Sequence, residues 1–375
     1  MKKLAIIGAS YLQLPLVRKA KEIGTETHCF AWEEGAVCKE ISDFFYPISI
    51  VDKEQILEVC QQIGIDGIIS IASDAAVPTI CFVAEKMGLI GNAYSDALVA
   101  TDKYLMRQRF SEFKILSPRY VIAEGNFNIN DFNLPLIVKP TDRSGSRGVM
   151  KVLDISDLNE AVERAKIESF THQAIIEEYI AGAEVSVETI SWQGKHHILA
   201  ITDKVTTGEP YFVELEHHQP SQLSNDIQEK IKDETVKALT ALKVNYGASH
   251  SEFKISAEGK VYAIEVGARM GGDFIGSSLV QLSTGYDFVK GIIEVSLGQF
   301  TEPICNLYYH AGVFFLSKET ENILSLIQNS NKNNKIVDAE LTDSVLRRIQ
   351  CSADRSGYFT YQDNKRFEIK IVVQS

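Results

Sequence analysis

The chain has no uninterrupted apolar run long enough to span a bilayer, so no transmembrane helix is expected. A secretory leader is not expected either. The opening MKKLAIIGAS sets two lysines before an apolar run too short for a signal core, and no small-residue cleavage site follows, so it reads as a first strand. The six cysteines, Cys29, Cys38, Cys60, Cys81, Cys305 and Cys351, never form a C-x-x-C pair. This argues against a disulfide framework or a zinc site and for reduced thiols in a cytoplasmic protein. Positive charge is also short: 38 Lys and Arg against 50 Asp and Glu leave a formal net charge of -12. Nucleic acid and anionic membranes would be repelled, so any polyanionic ligand needs a local cationic pocket.

Two familiar phosphate-binding fingerprints are missing as well. No glycine loop ends in G-K-[ST] before a helix, and the first strand leads into GASYLQLP, with one glycine where a dinucleotide fold needs three. Glu33 lies near the place of a ribose-binding acid in a nicotinamide enzyme, but without the glycines that reading has no support.

What is present is a chain of 375 residues, 45% apolar and 23% charged, which fits a globular protein of two or three domains. From Lys3 to about Asn92, strand and helix patterns alternate, predicting a parallel α/β domain over residues 1–92. A helix carrying Thr101, Asp102 and Lys103 then leads to a short strand near Arg119 to Ile122. Leu134 to Ile190 reads as a small α+β unit: strand, glycine loop, strand, a helix capped by Ser156 or Asp157, and strands through AIIEEYI and EVSVETI. A helix from about Asp226 to Lys243 places Ile227, Ile231, Val236, Leu239 and Leu242 broadly on one face. The stretch SEFKISAEGKVYAIEV reads as a hairpin turning at Glu258-Gly259, and helical patterns follow at Phe274 to Leu282 and Phe288 to Leu297. A small C-terminal α+β domain is expected over 301–375, with strand-like runs YFTYQ and RFEIKIVV.

The candidate chemistry starts at VKPTDRSGSRGVMKV, Val138 to Val152, a glycine loop between two strands with Lys139 ending the first. A lysine that ends a buried strand beside such a loop calls for an anionic partner. In the hairpin, Glu252 and Glu265 fall almost opposite each other, and facing carboxylates destabilise a sheet unless a positive charge lies between them. A hard divalent cation could supply it, with phosphate and water completing the shell; the alternative is a solvated outer face. After Glu265 comes VGARMGGDF, in which Arg269 could grip a phosphate in a bidentate fork while Gly271 and Gly272 let backbone approach it. In EEYIAGAE, Glu177, Glu178, Tyr179 and Ile180 end a strand and Glu184 follows a glycine bend, an arrangement that permits adenine and ribose contacts.

In order along the chain, Lys103 in TDKYLMR, Lys139 in VKP, DRSGSRGV, EEYI, Glu184, Glu252, Glu265 and Arg269 resemble the ATP-grasp superfamily of ATP-dependent ligases over about Tyr94 to Leu297. The N-terminal part is similar to the domain that usually precedes that fold. The resemblance implies an ATP-grasp fold over 93–300, two α+β subdomains clasping ATP, with a glycine-loop subdomain at about 125–190. It implies that Lys103 and Lys139 contact ATP phosphates, that Ser144, Gly145, Ser146 and Gly148 fold over them, and that Glu177 to Ile180 meet adenine. It further implies that Glu184 holds ribose and that Glu252 and Glu265 bind magnesium, with manganese as an alternative. Many members carry an asparagine two residues after the second metal glutamate, where this chain has Gly267.

YFVELEHHQPSQL, HSEFKI and EVGARMGG look most like the L-amino-acid ligases and related carboxylate-amine ligases. On that resemblance Glu214, His217 and His218 face an amino-acid substrate, with a polar loop as the alternative for His217 and His218, and His250 is a structural neighbour of the metal strand. The implied activity joins a small-molecule carboxylate to an amine through an acyl phosphate, with Arg269 stabilising the transferred group. The alternatives are a carbamoyl phosphate synthetase-like or carboxylase-like enzyme that activates bicarbonate, and a non-catalytic ATP-binding protein. A homodimer is compatible with this reading; nucleic-acid and membrane partners are not.

Overall fold

A computed structural model of the chain describes residues 1–125, 127–209 and 211–369. The first 92 residues run β1 (Lys3–Ile7), α1 (Leu14–Glu22), β2 (Glu26–Phe30), β3 (Phe44–Tyr46), α2 (Lys53–Ile63), β4 (Gly67–Ile69) and α3 (Val77–Met87). The strands pair in parallel in the order β3-β2-β1-β4. Local chemistry explains the boundaries. Asp52 caps α2 by accepting from the Gln55 amide, Pro78 sits in the first turn of α3, and both helices stop at a left-handed glycine, Gly64 and Gly88.

The expected helix through Thr101 to Lys103 is two helices, α4 (Tyr94–Thr101) and α5 (Lys103–Glu112). Asp102 is extended between them and accepts from the Leu105 amide, so it ends one helix and caps the next. Next come β5 (Tyr120–Ile122), β6 (Leu136–Pro140), β7 (Met150–Val152), α6 (Leu158–Glu168) and β8 (Ala174–Glu178), which build a four-stranded sheet in the order β5-β8-β6-β7 with α6 packed on it. Asp157 precedes α6 without a side-chain cap bond; Asp154 instead accepts from Ser156 in the turn before it.

The remaining strands are β9 (Ala183–Trp192), β10 (Lys195–Thr206), β11 (Glu214–Gln219), β12 (Gly247–Ile255), β13 (Val261–Gly267), β14 (His310–Leu316), β15 (Ile336–Leu341) and β16 (Gly357–Asp363). They form one eight-stranded sheet in the order β13-β12-β9-β10-β11-β14-β16-β15, accompanied by α7 (Asn225–Ala241), α8 (Val280–Thr284), α9 (Phe288–Ser296) and α10 (Leu324–Gln328). EVSVETI therefore lies in the large sheet and not with the glycine-loop strands. The switch is made at Gly182, whose φ of +134° and approach to Ile255 leave no room for a side chain: a Cβ would sit 1.9 Å from the Ile255 carbonyl oxygen. The C-terminal strands extend this same sheet through β14 against β11, while packing a core of their own around Phe314, Phe359 and Tyr361.

Two further expectations are corrected. Val236 on α7 is exposed, whereas Ile231 and Leu239 are buried against the sheet. RFEIKIVV is not a strand over 366–369, and its remainder lies outside the described residues.

Candidate active site

One face of the large sheet forms the floor of a cleft of about 1110 Å³. Side chains alternate across a strand, so Glu184, Ser186 and Glu188 on β9 share a face, and the register sets them beside Lys254, Glu252 and His250 on β12. Glu252 is in turn directly opposite Glu265 on β13, as the hairpin count predicts, and Lys204 on β10 is opposite Glu184. The small sheet forms the roof with Lys139 and the 141–149 loop. Between floor and roof, Tyr179 and Phe212 lie with ring centroids 6.4 Å apart, and Ile137, Ile180 and Ile264 add apolar wall. A flat aromatic base fits such walls.

The charges interleave. Lys103, at the first position of α5, donates to Glu265 Oε1 at 2.8 Å and to the Arg143 carbonyl at 2.6 Å, so it touches both the floor and the glycine loop. Burial would lower its pKa, but Glu265 and Asp74 raise it above the ordinary lysine range. Lys139 is the opposite case. Its ammonium is 2.7 Å from Glu177 Oε2, yet burial pulls its pKa down by more than Glu177 restores, and Arg107 and Lys103 push the same way. It is a buried cation short of negative charge, which an anionic ligand would supply. Bound phosphate would raise this pKa, so the complex holds more protons than the free protein in the window below the ordinary lysine value. Nucleotide binding is expected to take up protons there and to weaken as pH rises through it; calorimetry in two buffers of different ionisation enthalpy measures the uptake, and Lys139→Met should abolish it.

Lys204 is buried at the centre of the floor, with its ammonium 2.8 Å from Glu252, 2.9 Å from Glu184 and 3.4 Å from Glu214. Although burial opposes both charges, Lys204 is held well above, and Glu252 well below, their usual ranges. His250 bridges Glu188 at 2.5 Å and Glu252 at 3.2 Å; these partners outweigh burial and push it up to about 9, so at neutral pH it is an imidazolium donating from both nitrogens. Arg269 makes a two-pronged bridge to Asp74, Nε to Oδ1 at 2.9 Å and Nη2 to Oδ2 at 2.7 Å.

Glu252 and Glu265 suit a hard divalent cation: two carboxylates side by side in register, open to a cleft in which phosphate oxygens and water could complete the shell. No group of three or more His, Cys, Asp or Glu side chains arranged to hold a metal occurs among the described residues, so a cation would draw its remaining ligands from the bound molecule.

Most of the residues singled out in the sequence line this one cleft: Lys103, Lys139, Ser144, Gly145, Ser146, Glu177 to Ile180, Glu184, Glu214, Glu252, Glu265 and Arg269. Gly145 and Ser146 are consecutive left-handed residues at the exposed tip of the loop. Gly148 lies outside the cleft wall, packed against Pro140 and Glu168. Arg143 stacks on Phe170 at 4.2 Å, and Arg147 is exposed. The Glu177 carboxylate is taken up by Lys139 and by Arg107, whose Nε is 2.9 Å away as a charge contact and not an aligned hydrogen bond. Glu177 thus braces a lysine where an adenine contact is expected.

His217 and His218 lie on β11 and are buried, not on a polar loop. His217 packs against Phe315, 3.9 Å from Asp273. Gly271 and Gly272 are also off the cleft wall. A Cβ on Gly271 would stand 2.4 Å from Glu188 Oε1 and 2.7 Å from His250 Nδ1, so the small residue there serves that buried pair and not a phosphate. Lys204, Arg107, Asp74 and Glu188 escape sequence reasoning. Only the alternation of Thr202 and Lys204 along β10 hints at a polar face.

Residues 132–277 match the family described as the ATP-grasp domain. The matched stretch runs from just before β6 to the segment after β13, with a parallel α/β unit before it and three further strands after it. Among curated proteins it is similar to the alanine–anticapsin ligase of Bacillus subtilis (strain 168), 27% identical over 272 residues, a match spanning 62% of this chain and 57% of that relative. The solved L-amino acid ligase of Bacillus licheniformis superposes with a TM-score of 0.78 at 22% identity, covering 97% of this chain and 94% of that one. The N5-carboxyaminoimidazole synthetase of Staphylococcus aureus complexed with ADP gives a TM-score of 0.78 at 15% identity, with the same coverage. No helix among the described residues is long and apolar enough to cross a membrane.

Proposed function

We propose that the protein is an ATP- and magnesium-dependent ligase that joins a carboxylate to an amine through an acyl phosphate, with an amino acid as one substrate. The observation that carries this reading is the facing of two buried lysines, Lys103 and Lys139, with the register-paired Glu252 and Glu265 across a single cleft that has Arg269 in its wall. Cations for phosphate, oxygen ligands for a metal and an arginine for a developing charge are the parts phosphoryl transfer asks of a protein, which mainly positions and neutralises. The similarity to an alanine–anticapsin ligase and an L-amino acid ligase supports the choice of substrate class.

In this reading the adenine packs on the apolar wall of Ile137, Ile180 and Ile264 beside the Tyr179 and Phe212 rings, Glu184 accepts from ribose, and the 144–148 loop closes on the phosphates. Magnesium, when bound at Glu252 and Glu265, supplies charge neutralisation for the phosphate oxygens. A substrate carboxylate attacks the γ-phosphorus, forming the acyl phosphate and releasing ADP; the amine then attacks the acyl carbon and phosphate leaves. Lys103 and Lys139 hold the phosphate oxygens, and Arg269 faces the charge that gathers on the transferred phosphoryl group and later on the tetrahedral oxygen. Glu214, in the wall beside Lys204, is the group suited to a substrate ammonium.

The test is ADP release over paired amino acids, small carboxylates and bicarbonate. Release that needs both an amino acid and an amine supports the reading, whereas release on bicarbonate alone replaces it with a bicarbonate-activating enzyme. Glu265→Gln keeps the shape and removes one ligand charge, so half-maximal ADP release should need at least about tenfold more magnesium, a loss of ~1.4 kcal/mol. A magnesium titration superimposable on that of the unaltered protein would remove Glu265 from the metal site.

A further inference from the structure

Asp74 stands at the start of a short turn after β4, in the N-terminal domain, 195 positions from Arg269. Its two carboxylate oxygens take Nε and Nη2 of Arg269. The remaining nitrogen, Nη1, has only a 3.4 Å contact to the Met270 carbonyl. The two segments are docked at further points. The Ala72 amide, in a left-handed residue, donates to the Met270 carbonyl at 3.1 Å, and a Cβ on Gly272 would meet Ala72 at 3.4 Å. Position 267 is shaped by the same pair: a Cβ there would fall 2.7 Å from Asp74 Oδ1 and 3.1 Å from the guanidinium carbon and Nε of Arg269. An L side chain at 267 and the bridge in its present place are mutually exclusive, which gives a physical reason for glycine at that position.

Resting on the proposed function, we infer that Asp74 is the positioning residue for Arg269: from outside the ATP-grasp domain it fixes the guanidinium plane so that Nη1 faces the phosphoryl group, and Gly267 leaves the space that this requires. A guanidinium on a free side chain would spread over several rotamers; one locked by a two-pronged carboxylate presents its free edge in one direction. Phosphoryl transfer then depends on the N-terminal domain even though, among the described residues, that domain places no side chain in the cleft wall.

The test uses the full chain and a probe that needs no knowledge of the substrate. Affinity for MgADP is measured by calorimetry with and without aluminium fluoride, which mimics the transferring phosphoryl group. The unaltered protein should bind MgADP at least about tenfold more tightly with fluoroaluminate than without. Asp74→Asn should bind MgADP itself within twofold and lose that increment. Gly267→Ala provides a second route. Its new methyl displaces the flexible ends of Asp74 and Arg269 without removing a charge, so the chain should fold, and the increment should fall as in Asp74→Asn. A bridge that only stabilised the domain contact would lower the melting temperature of both variants and leave the increment untouched; an intact increment in both therefore overturns the inference and leaves the nucleotide site standing. Failure of the unaltered protein to bind MgADP overturns the proposed function, and this inference with it.

Discussion

Replacing Arg269 by alanine should leave ATP binding intact while substrate-dependent ADP release falls by about two orders of magnitude. The guanidinium is absent from the contacts that hold the nucleotide in the proposed reaction, whereas Lys103, Lys139 and the hydrophobic walls remain. What is lost is a donor aimed at charge that appears only during transfer, and a contact of that kind is worth about 3 kcal/mol. The prediction therefore separates kcat from the KM for ATP. Unchanged turnover would take Arg269 out of the mechanism, and a large rise in the KM for ATP would make it a nucleotide ligand instead. Asp74 should become a half-buried carboxylate without its partner in this variant, so a modest fall in melting temperature is also expected.

Glu177→Ala should have the largest effect on stability. The carboxylate is almost fully buried between Arg107 and Lys139, and Arg107 is itself buried, with a further bond to the Ile264 carbonyl at 2.6 Å. The triad joins α5, the small sheet and β13 at one point. Removing the single anion leaves two cations in a poorly solvated site, a change that costs about 3–5 kcal/mol when a buried pair is broken from one side. Denaturant unfolding should show this as a lower midpoint. The triple variant Arg107→Met, Glu177→Leu, Lys139→Met should recover much of the loss, because no buried charge is then uncompensated, yet it should not bind ATP. Equal stability of Glu177→Ala and the unaltered chain would mean that water reaches the two cations.

Much of the cleft was legible because its parts are local. The opposition of Glu252 and Glu265 follows from counting back from the turn at Glu258-Gly259, and the glycine loop shows itself as glycines between two β-branched runs. What stayed hidden depends on strands far apart in the chain. Lys204 matters only because β9 and β12 set Glu184 and Glu252 beside β10, and nothing in DKVTTG indicates that neighbourhood. Asp74 reads as an ordinary residue before a helix until the turn after β13 brings Arg269 to it. Local signals misled where one residue had two uses. Asp102 looks like part of a continuous helical pattern, but its carboxylate caps the next helix and breaks the run. EVSVETI follows AIIEEYI so closely that the two read as one sheet; the steric demand at Gly182 sends the second strand elsewhere.

The continuity of β11 with β14 and β16 changes what the tail of the chain is for. A version cut after α9 would keep every nucleotide-contacting residue of the proposed site but would leave β11 with a row of unpaired amides and carbonyls along one side. Such an edge invites pairing with another molecule, and fraying there would loosen Glu214, which meets Lys204 from that strand. The last three strands thus act as a seal on an otherwise sticky border, and the ATP-grasp region alone is a poor candidate for expression as a separate piece.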